Sequence, residues 1–200
     1  MRVGVLALQG DFREHVEALN RLGVATKEVR LPADLDQVDG LIIPGGESTT
    51  IARLLDRFGL REPLVERIAA GMPVMGTCAG AIVLAKNAEG LDRPSLGVID
   101  MDIRRNAFGR QIDSFEAEVR FPRVGQDPVH AVFIRAPAIE SVRSPAETLA
   151  ELDDGTIVAA QQGKVLALAF HPELTSDPRV HQYFLSLCAS SLRPPVEGQV

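Results

Sequence analysis

The sequence has few cysteines, few aromatic residues and no long hydrophobic run. Its 200 residues include two cysteines, one tyrosine and no tryptophan, and aromatic residues make up 4% of the chain. Two isolated cysteines cannot form a disulfide framework, and there is no CxxC or histidine-rich cluster of the kind that binds structural zinc. We therefore expect no metal centre, and at least one thiol that is free for chemistry.

The sequence also lacks an excess of positive charge. Its formal net charge is -6, and the basic residues are scattered, so it has no electrostatic surface typical of nucleic-acid binding. The longest apolar runs, residues 3–8 and 165–170, fall far short of the roughly 20 residues that span a bilayer. The N-terminus has no small-residue cleavage site and is typical of a first strand. We expect a cytoplasmic protein that binds neither nucleic acid nor membrane and acts on a small molecule.

The length and the 46% hydrophobic content suit a single domain, which we assign to residues 1–190, followed by a flexible tail at 191–200. In the first half, apolar runs alternate with segments of helical periodicity. The predicted strands are residues 3–8, 24–30, 40–43 and 73–76, and the predicted helices are residues 11–22, 48–58, 63–70 and 79–86. Asp11 is a candidate cap for the first helix.

The second half is rich in short strand-like segments. These are residues 97–103, 114–121, 129–134, 139–142, 148–152, 156–161 and 165–169, followed by a last helix at 177–190. Asp154-Gly155 and Gln162-Gly163 lie between such segments and predict hairpin turns. The fold class that follows is α/β: a doubly wound, mixed and mostly parallel sheet with helices on both faces and an antiparallel extension.

Gly76-Thr77-Cys78-Ala79-Gly80 has the form of a nucleophile elbow, with cysteine in place of serine. The small flanking residues permit a strained turn between strand and helix. The N–H groups at the helix start, from Ala79 onward, would favour the thiolate. Taken alone, the pattern also fits a small buried cysteine packed between glycines.

A cysteine nucleophile needs a base, and of the four histidines only His171 directly follows a strong predicted strand. Catalytic groups of open α/β sheets gather at such strand ends. Glu173, two residues later, can orient the imidazole. Taken alone, the tripeptide His171-Pro172-Glu173 would also be compatible with a solvent-exposed turn. His15, His130 and His181 lack this setting, and we expect them to be structural or exposed.

A third strand end carries Pro44-Gly45-Gly46-Glu47-Ser48. Glycine N–H groups can approach a developing oxyanion closely because no Cβ obstructs them. An ordinary strand-to-helix turn capped by Ser48 would have the same composition. A thiol, a base with its orienting carboxylate and an oxyanion loop, on three separate strand ends, together predict acyl transfer.

These three segments resemble the class I glutamine amidotransferases, whose triad is Cys, His and Glu in that chain order. Further segments resemble one branch, the glutaminase subunit of pyridoxal 5'-phosphate synthase. They are Leu8-Gln9-Gly10-Asp11, Arg105-Asn106-Ala107-Phe108-Gly109-Arg110-Gln111, Ser114-Phe115-Glu116 and Phe133-Ile134-Arg135-Ala136-Pro137. The resemblance extends from residue 1 to about residue 187.

The resemblance implies roles for individual residues. Cys78 would attack the side-chain amide of glutamine, His171 would transfer the proton, and Glu173 would orient His171. Glutamine would be held by Gly46, Glu47, Ser48, Arg105, Ile134 and Arg135. Gly45, Gly46 and Ala79 would form or support the oxyanion hole, and Gln9 would touch the oxyanion loop. The resemblance implies no cofactor. It implies a protein partner, a separate synthase subunit that receives ammonia through a channel.

Two alternatives remain at this point. The chain could be a glutaminase for another acceptor or a hydrolase of γ-glutamyl peptides, because the triad is common to these enzymes. It could also be a non-enzymatic flavodoxin-like module that retains the elbow as a packing feature. Loss of hydrolysis in Cys78→Ala would exclude the second alternative, and the choice of synthase subunit that stimulates activity would test the first.

Overall fold

The computed structural model describes residues 1–105 and 114–192. The strands are β1 (Arg2–Leu6), β2 (Ala25–Val29), β3 (Gly40–Ile43), β4 (Val74–Thr77), β5 (Ala85–Glu89), β6 (Ile99–Arg104), β7 (Ser114–Val119), β8 (Val129–Ile134), β9 (Ala138–Val142), β10 (Glu147–Glu151), β11 (Ile157–Gln162) and β12 (Val165–Leu168). The helices are α1 (Phe12–Arg21), α2 (Pro32–Leu35), α3 (Ser48–Arg57), α4 (Arg61–Ala69), α5 (Ala79–Leu84) and α6 (Arg179–Leu192), with a 3₁₀ turn at Pro172–Leu174.

The main sheet has its strands in the order β2-β1-β3-β4-β12-β11-β9-β6-β5, and β10 pairs with β11. Strands β2, β1, β3, β4 and β12 run parallel. The neighbours β11, β9 and β10 pair antiparallel, as the turns at Gly155 and Gly163 predicted. The predicted mixed sheet with an antiparallel extension is therefore confirmed. The order reverses between β1 and β3, which is where open α/β sheets bind their ligands.

Helices cover both faces of the parallel strands. In β3, Leu41 and Ile43 point to one face, where α2, α3, α4 and α5 pack, and Ile42 points to the other, beside α1 and α6. Strands buried on both sides read as continuous apolar runs, which is why the sequence signals them strongly. Within the part of the chain that the structure describes, no helix combines the length and the apolar character that a membrane crossing requires.

The structure corrects several predicted elements. The helix predicted at 79–86 ends at Leu84, because Ala85 is already extended and opens β5, which pairs with β6. The short α2, which begins at Pro32, was not predicted. Strands β7 and β8 do not join the main sheet but form a separate pair, whose inner side packs on the face that α1 and α6 cover.

Three further predictions need qualification. Asp11 occupies the position before α1, but its carboxylate makes no capping hydrogen bond. The last helix begins at Arg179 and continues to Leu192, so it enters the segment predicted as a tail. The rest of that tail, residues 193–200, and residues 106–111 of the predicted branch-specific segment lie outside the described residues.

Candidate active site

Four strand ends meet at the carboxyl edge of the parallel strands. Gln9 follows β1, Gly45 follows β3, Cys78 follows β4 and His171 follows β12. The parallel pairing of these strands places their ends side by side, although the residues are far apart in the sequence.

Cys78 stands at a strained turn between β4 and α5. Its φ is 49° and its ψ is -103°, in the left-handed half of the backbone map that non-glycine residues avoid at a cost of about 1–3 kcal/mol. Its N–H donates to the carbonyl of Leu168 in β12 (2.8 Å), and its thiol donates to the carbonyl of Ile134 (3.7 Å). The side chain is 7% exposed. The elbow thus presents the sulfur at the floor of a pocket.

The two glycines of the elbow are required by close packing. A Cβ at Gly80 would lie 2.0 Å from the carbonyl oxygen of Ile43, and one at Gly76 would lie 2.6 Å from the backbone of Gly80. Non-bonded atoms do not approach this closely, so a side chain at Gly80 would push α5 away from β3, and one at Gly76 would push α5 away from β4. The Gly-x-Cys-x-Gly pattern therefore allows α5 to approach the sheet.

His171 and Glu173 lie in one buried turn after β12. Nδ1 of His171 and Oε1 of Glu173 are 2.7 Å apart. The backbone N–H of His171 donates to the carbonyl of Val132 in β8 (2.9 Å), which ties this turn to the second sheet. Because Nδ1 is engaged with the carboxylate, Nε2 is the free ring nitrogen, and it makes no hydrogen bond of good geometry with the described residues.

The electrostatic environment keeps a proton on His171. Burial lowers its pKa, but the interactions with the Cys78 thiol and with Glu173 outweigh burial and raise the pKa to about 10. At neutral pH the imidazole is therefore charged. An imidazolium held beside a thiol stabilises the thiolate, which is the nucleophilic form of cysteine.

The glycine loop after β3 is held by the loop after β1. Gln9 accepts a hydrogen bond from the N–H of Glu47 (2.8 Å), and the N–H of Asp11 donates to the carbonyl of Gly45 (3.1 Å). Gly46 has a φ of 146°, and a Cβ there would lie 2.6 Å from Oε1 of Gln9. Only glycine permits this approach at this backbone angle.

Glu47, and not Ser48, caps α3. Its carboxylate accepts hydrogen bonds from the N–H groups of Thr49 (3.1 Å) and Thr50 (2.7 Å). Arg105 donates to the same carboxylate (2.8 Å) and to the Thr49 hydroxyl (2.8 Å). Burial raises the pKa of Glu47, but the hydrogen bonds from Thr50 and Thr49 outweigh burial and lower it to about 2. Ser48 is buried, and its hydroxyl has no hydrogen-bond partner in the described parts of the chain.

The predicted residues surround a cavity of about 440 Å³. It is lined by Asp11, Gly46, Glu47, Ser48, Cys78, Ala79, Ile82, Arg105, Ile134, Arg135 and His171. Gln9, Gly45 and Glu173 lie behind this lining. Arg135 has a φ of 45°. Within the described ranges, Cys78 and Arg135 are the two non-glycine residues with positive φ, and both line the cavity. Backbone strain of this kind collects at functional sites.

Sequence reasoning missed part of this neighbourhood. Asp11 was considered as a helix cap, but its Oδ2 lies 3.7 Å from Nδ1 of His171. His15 and His181 are buried, and His15 lies 3.3 Å from Glu173. The available signal for His15 was its position on the buried face of α1, four residues before Leu19. Periodicity shows burial but does not reveal which residue from another element lies opposite.

Ligand atoms of Asp11, His171 and Glu173 lie within 4.8 Å of one another, a spacing that one metal ion could bridge. In the structure, however, Nδ1 of His171 is hydrogen-bonded to Glu173, and the imidazole also interacts with the Cys78 thiol. Burial raises the pKa of Asp11 at the open side of the group. The His171 imidazole is therefore already engaged by side chains of the candidate site.

Comparison with known proteins gives concordant matches. The sequence matches the profile of the SNO glutamine amidotransferase family over residues 5–190. It is 63% identical to the pyridoxal 5'-phosphate synthase subunit PdxT of Herpetosiphon aurantiacus, over 94% of this chain and 100% of that protein. It is 55% identical to the PdxT protein of Carboxydothermus hydrogenoformans, over 96% of this chain and 100% of the relative.

Solved structures agree with the fold. A crystal structure of a glutamine amidotransferase superposes with a TM-score of 0.89 at 51% identity, covering 94% of this chain and 98% of the other. A chain in the structure of PurLQS from Thermotoga maritima superposes with a TM-score of 0.72 at 15% identity, covering 92% of this chain and 97% of the other. At 15% identity, the match to the PurLQS chain shows only that the fold is shared.

Proposed function

The chain belongs to the SNO glutamine amidotransferase family, and we propose that it hydrolyses L-glutamine with Cys78 as the nucleophile. It is the glutaminase subunit of a pyridoxal 5'-phosphate synthase, in keeping with the name of relatives that are 55% and 63% identical. The observation that carries the proposal for the site is the meeting of Cys78, His171 and the glycine loop in one cavity.

The first half of the reaction forms a thioester. The Cys78 thiolate attacks the side-chain carbonyl carbon of glutamine, and the oxygen gains negative charge. N–H groups of the Gly45–Gly46 loop and of Ala79, the residue after the nucleophile, would stabilise that charge. His171 then donates its proton to the amide nitrogen as the C–N bond breaks. Ammonia leaves, and a γ-glutamyl thioester and a neutral imidazole remain.

The second half releases glutamate. Neutral His171 takes a proton from water while the oxygen of that water attacks the thioester carbon. The C–S bond breaks, glutamate departs, and the thiolate and imidazolium are restored. Glu173 orients His171 through Nδ1 in both halves and stabilises its charged form. The high pKa of His171 supports this assignment because the group must carry a proton when ammonia leaves.

Glutamine recognition is proposed for the cavity wall. Arg135 is exposed and makes no ion pair among the described residues, so its guanidinium is available to the α-carboxylate. Arg105 is already paired with Glu47, which supports a role in holding the glycine loop as well as in contacting substrate. Gly46, Glu47, Ser48 and Ile134 would complete the site.

A synthase subunit is the protein partner that the name of the relatives implies. Ammonia is small and is lost to water if it is released freely. We propose that it passes to the partner through a channel, and that the oxyanion loop at Gly45–Gly46 reaches its active geometry when the partner is bound.

Trapping the thioester position tests the function directly. A glutamine analogue with an electrophilic carbon at the side-chain amide position should label Cys78 alone, and Cys78→Ala should remove both the label and glutamine hydrolysis. The measurement is mass spectrometry of the digested protein together with a glutamate assay in the presence of the synthase subunit.

Cys188 provides the matched control. It is buried on α6, and burial raises the pKa of its thiol to about 12, so it is protonated and inaccessible in the folded protein. Cys188→Ala should keep the label and the activity. A label on Cys188, or glutamine hydrolysis that survives in Cys78→Ala, would refute the assignment.

A further inference from the structure

Two buried histidines lie behind the triad, and the reaction described above does not use them. His15 comes from α1 and His181 from α6, and both are essentially inaccessible to solvent. Nδ1 of His15 is 3.1 Å from Nε2 of His181. Nε2 of His15 is 3.1 Å from the Thr77 hydroxyl and 3.3 Å from Oε2 of Glu173.

The carboxylate of Glu173 needs a second partner. Its Oε1 is bonded to His171, but Oε2 is buried and accepts no hydrogen bond of good geometry within the described residues. A buried carboxylate oxygen without a partner is costly, because the water that would solvate it has been removed. Nε2 of His15 faces this oxygen, so it can supply a positive dipole there.

The carboxylate also selects the tautomer of His15. If the proton were on Nδ1, the lone pair of Nε2 would face the negative oxygen at 3.3 Å, which is repulsive. With the proton on Nε2, the N–H points toward Thr77 and Glu173, and Nδ1 accepts a hydrogen bond from His181. His181 therefore fixes the arrangement from the far side of the ring.

The contacts of His15 link the end of β4, which carries the nucleophile, to the turn that carries His171. Thr77 is the last residue of β4 and directly precedes Cys78, and Glu173 belongs to the turn that carries His171. We propose that His15 is a positioning residue that fixes the Glu173 carboxylate against the strand end that carries the nucleophile. This inference rests on the glutaminase function, because it explains how the base and the thiol are held in a fixed position relative to each other.

His15 performs this role as a neutral group. Burial lowers its pKa, and burial lowers the pKa of His181 to about 3, so both imidazoles are uncharged at neutral pH. The charged groups around them are Glu173, His171, Asp11 and Glu14 for His15, and Glu173 and Arg21 for His181. The contribution of His15 is therefore a directed N–H and not a positive charge.

Two amide substitutions of His15 distinguish the contacts made through Nε2 from those made through Nδ1. His15→Gln places an N–H near the position of Nε2 and keeps the contact with Glu173 and Thr77. His15→Asn places its amide near Nδ1 and keeps only the side that faces His181. In the complex with the synthase subunit, His15→Asn should lower kcat about 10-fold with little change in KM, as occurs when the partner that orients a functional group is lost. His15→Gln should remain close to the parent.

The pH profile gives a readout that a packing defect would not move. Burial raises the pKa of Glu173, but its charged and hydrogen-bonded neighbours outweigh burial and hold that pKa below its usual range. The N–H dipole of neutral His15 also favours the ionised carboxylate, so its loss should raise the pKa of Glu173. The acid limb of kcat should then move to higher pH in His15→Asn and stay in place in His15→Gln.

A control variant and separate outcomes distinguish failure of the His15 positioning role from failure of the glutaminase function. His130→Gln changes a partly exposed histidine of β8 and should leave both readouts unchanged. If His15→Asn does not fold, Thr77→Val removes the hydroxyl end of the same contact and should also lower kcat. Equal kcat values and equal acid limbs in His15→Asn and His15→Gln would overturn the positioning role. An inactive parent complex would instead overturn the proposed function.

Discussion

At the scale of single residues, the proposed reaction depends on the proton that His171 carries. The imidazole lies between a thiol and a carboxylate, and both partners raise its pKa against the effect of burial. In the proposed reaction, the charged imidazole stabilises the Cys78 thiolate before attack and protonates the leaving nitrogen after it. Above a pH of about 10 the proton is lost, and the activity should fall with it.

Glu173→Gln tests this proton directly. The amide preserves size but removes the negative charge that raises the pKa of His171, so the alkaline limb of the kcat profile should move to lower pH. The lost orientation should also lower kcat by at least about 100-fold, by analogy with the carboxylate of the serine protease triad. The measurement is glutamate release in the complex across the alkaline range.

The control for this variant is Glu62→Gln, the same change at an exposed position on α4. It should leave the profile unchanged. An alkaline limb that stays where it is in Glu173→Gln would show that Glu173 does not set the pKa of His171.

At the scale of elements, the turn from β4 into α5 is the feature on which the site depends. Glycines at 76 and 80 let the helix approach close to the sheet, and the strain at Cys78 is supported by its N–H bond to β12. The glycine pattern was sufficient to predict the turn. Periodicity did not predict that the helix would end at Leu84 and continue as β5.

Gly80→Ala should disrupt this junction. The added Cβ would lie 2.0 Å from the Ile43 carbonyl, so α5 and Cys78 must shift away from β3. We expect a loss of about 1–3 kcal/mol in the free energy of unfolding, the usual cost of overpacking, together with a large loss of kcat. Urea unfolding and the glutamate assay measure the two effects.

Gly125→Ala is the matched control, because a Cβ there would meet only an ordinary contact with Arg179 at 3.5 Å. Its stability and activity should stay close to those of the parent. Unchanged stability and activity in Gly80→Ala would contradict the packing that we describe for the elbow.

At the scale of the whole molecule, the carboxyl edge of the sheet gathers the reactive loops and leaves the cavity open at one side. A glutaminase that worked without its acceptor would waste glutamine. We therefore expect the activity to depend on the synthase subunit, through the geometry of the loop at Gly45–Gly46.

Mixing experiments test this dependence. Addition of the cognate synthase subunit should raise the rate of glutamine hydrolysis several-fold, whereas the synthase component of an unrelated amidotransferase should not. The same mixtures with Cys78→Ala give the background. Equal turnover by the isolated chain and by the complex would contradict the proposed activation.

The sequence by itself determined the fold class and the strand ends at which Cys78, His171 and the glycine loop lie. Continuous apolar runs specify strands buried on both faces, and glycines flanking Cys78 specify an elbow, because both signals are local and depend on few residues. Most helix and strand positions followed from the same patterns. Short or exposed elements such as α2 and β5 were missed, since they bury too little apolar surface to leave a clear periodicity.

The tertiary structure alone decided which side chains meet. Glu47 and not Ser48 caps α3, Asp11 lies near His171 and does not cap α1, and β7 and β8 pair outside the main sheet. His15 lies against Glu173, 158 positions later in the sequence, because α1 and the turn after β12 pack at the same end of the sheet. A periodic pattern encodes that His15 is buried, but its partner depends on strand order and on packing between distant elements, which no local pattern contains.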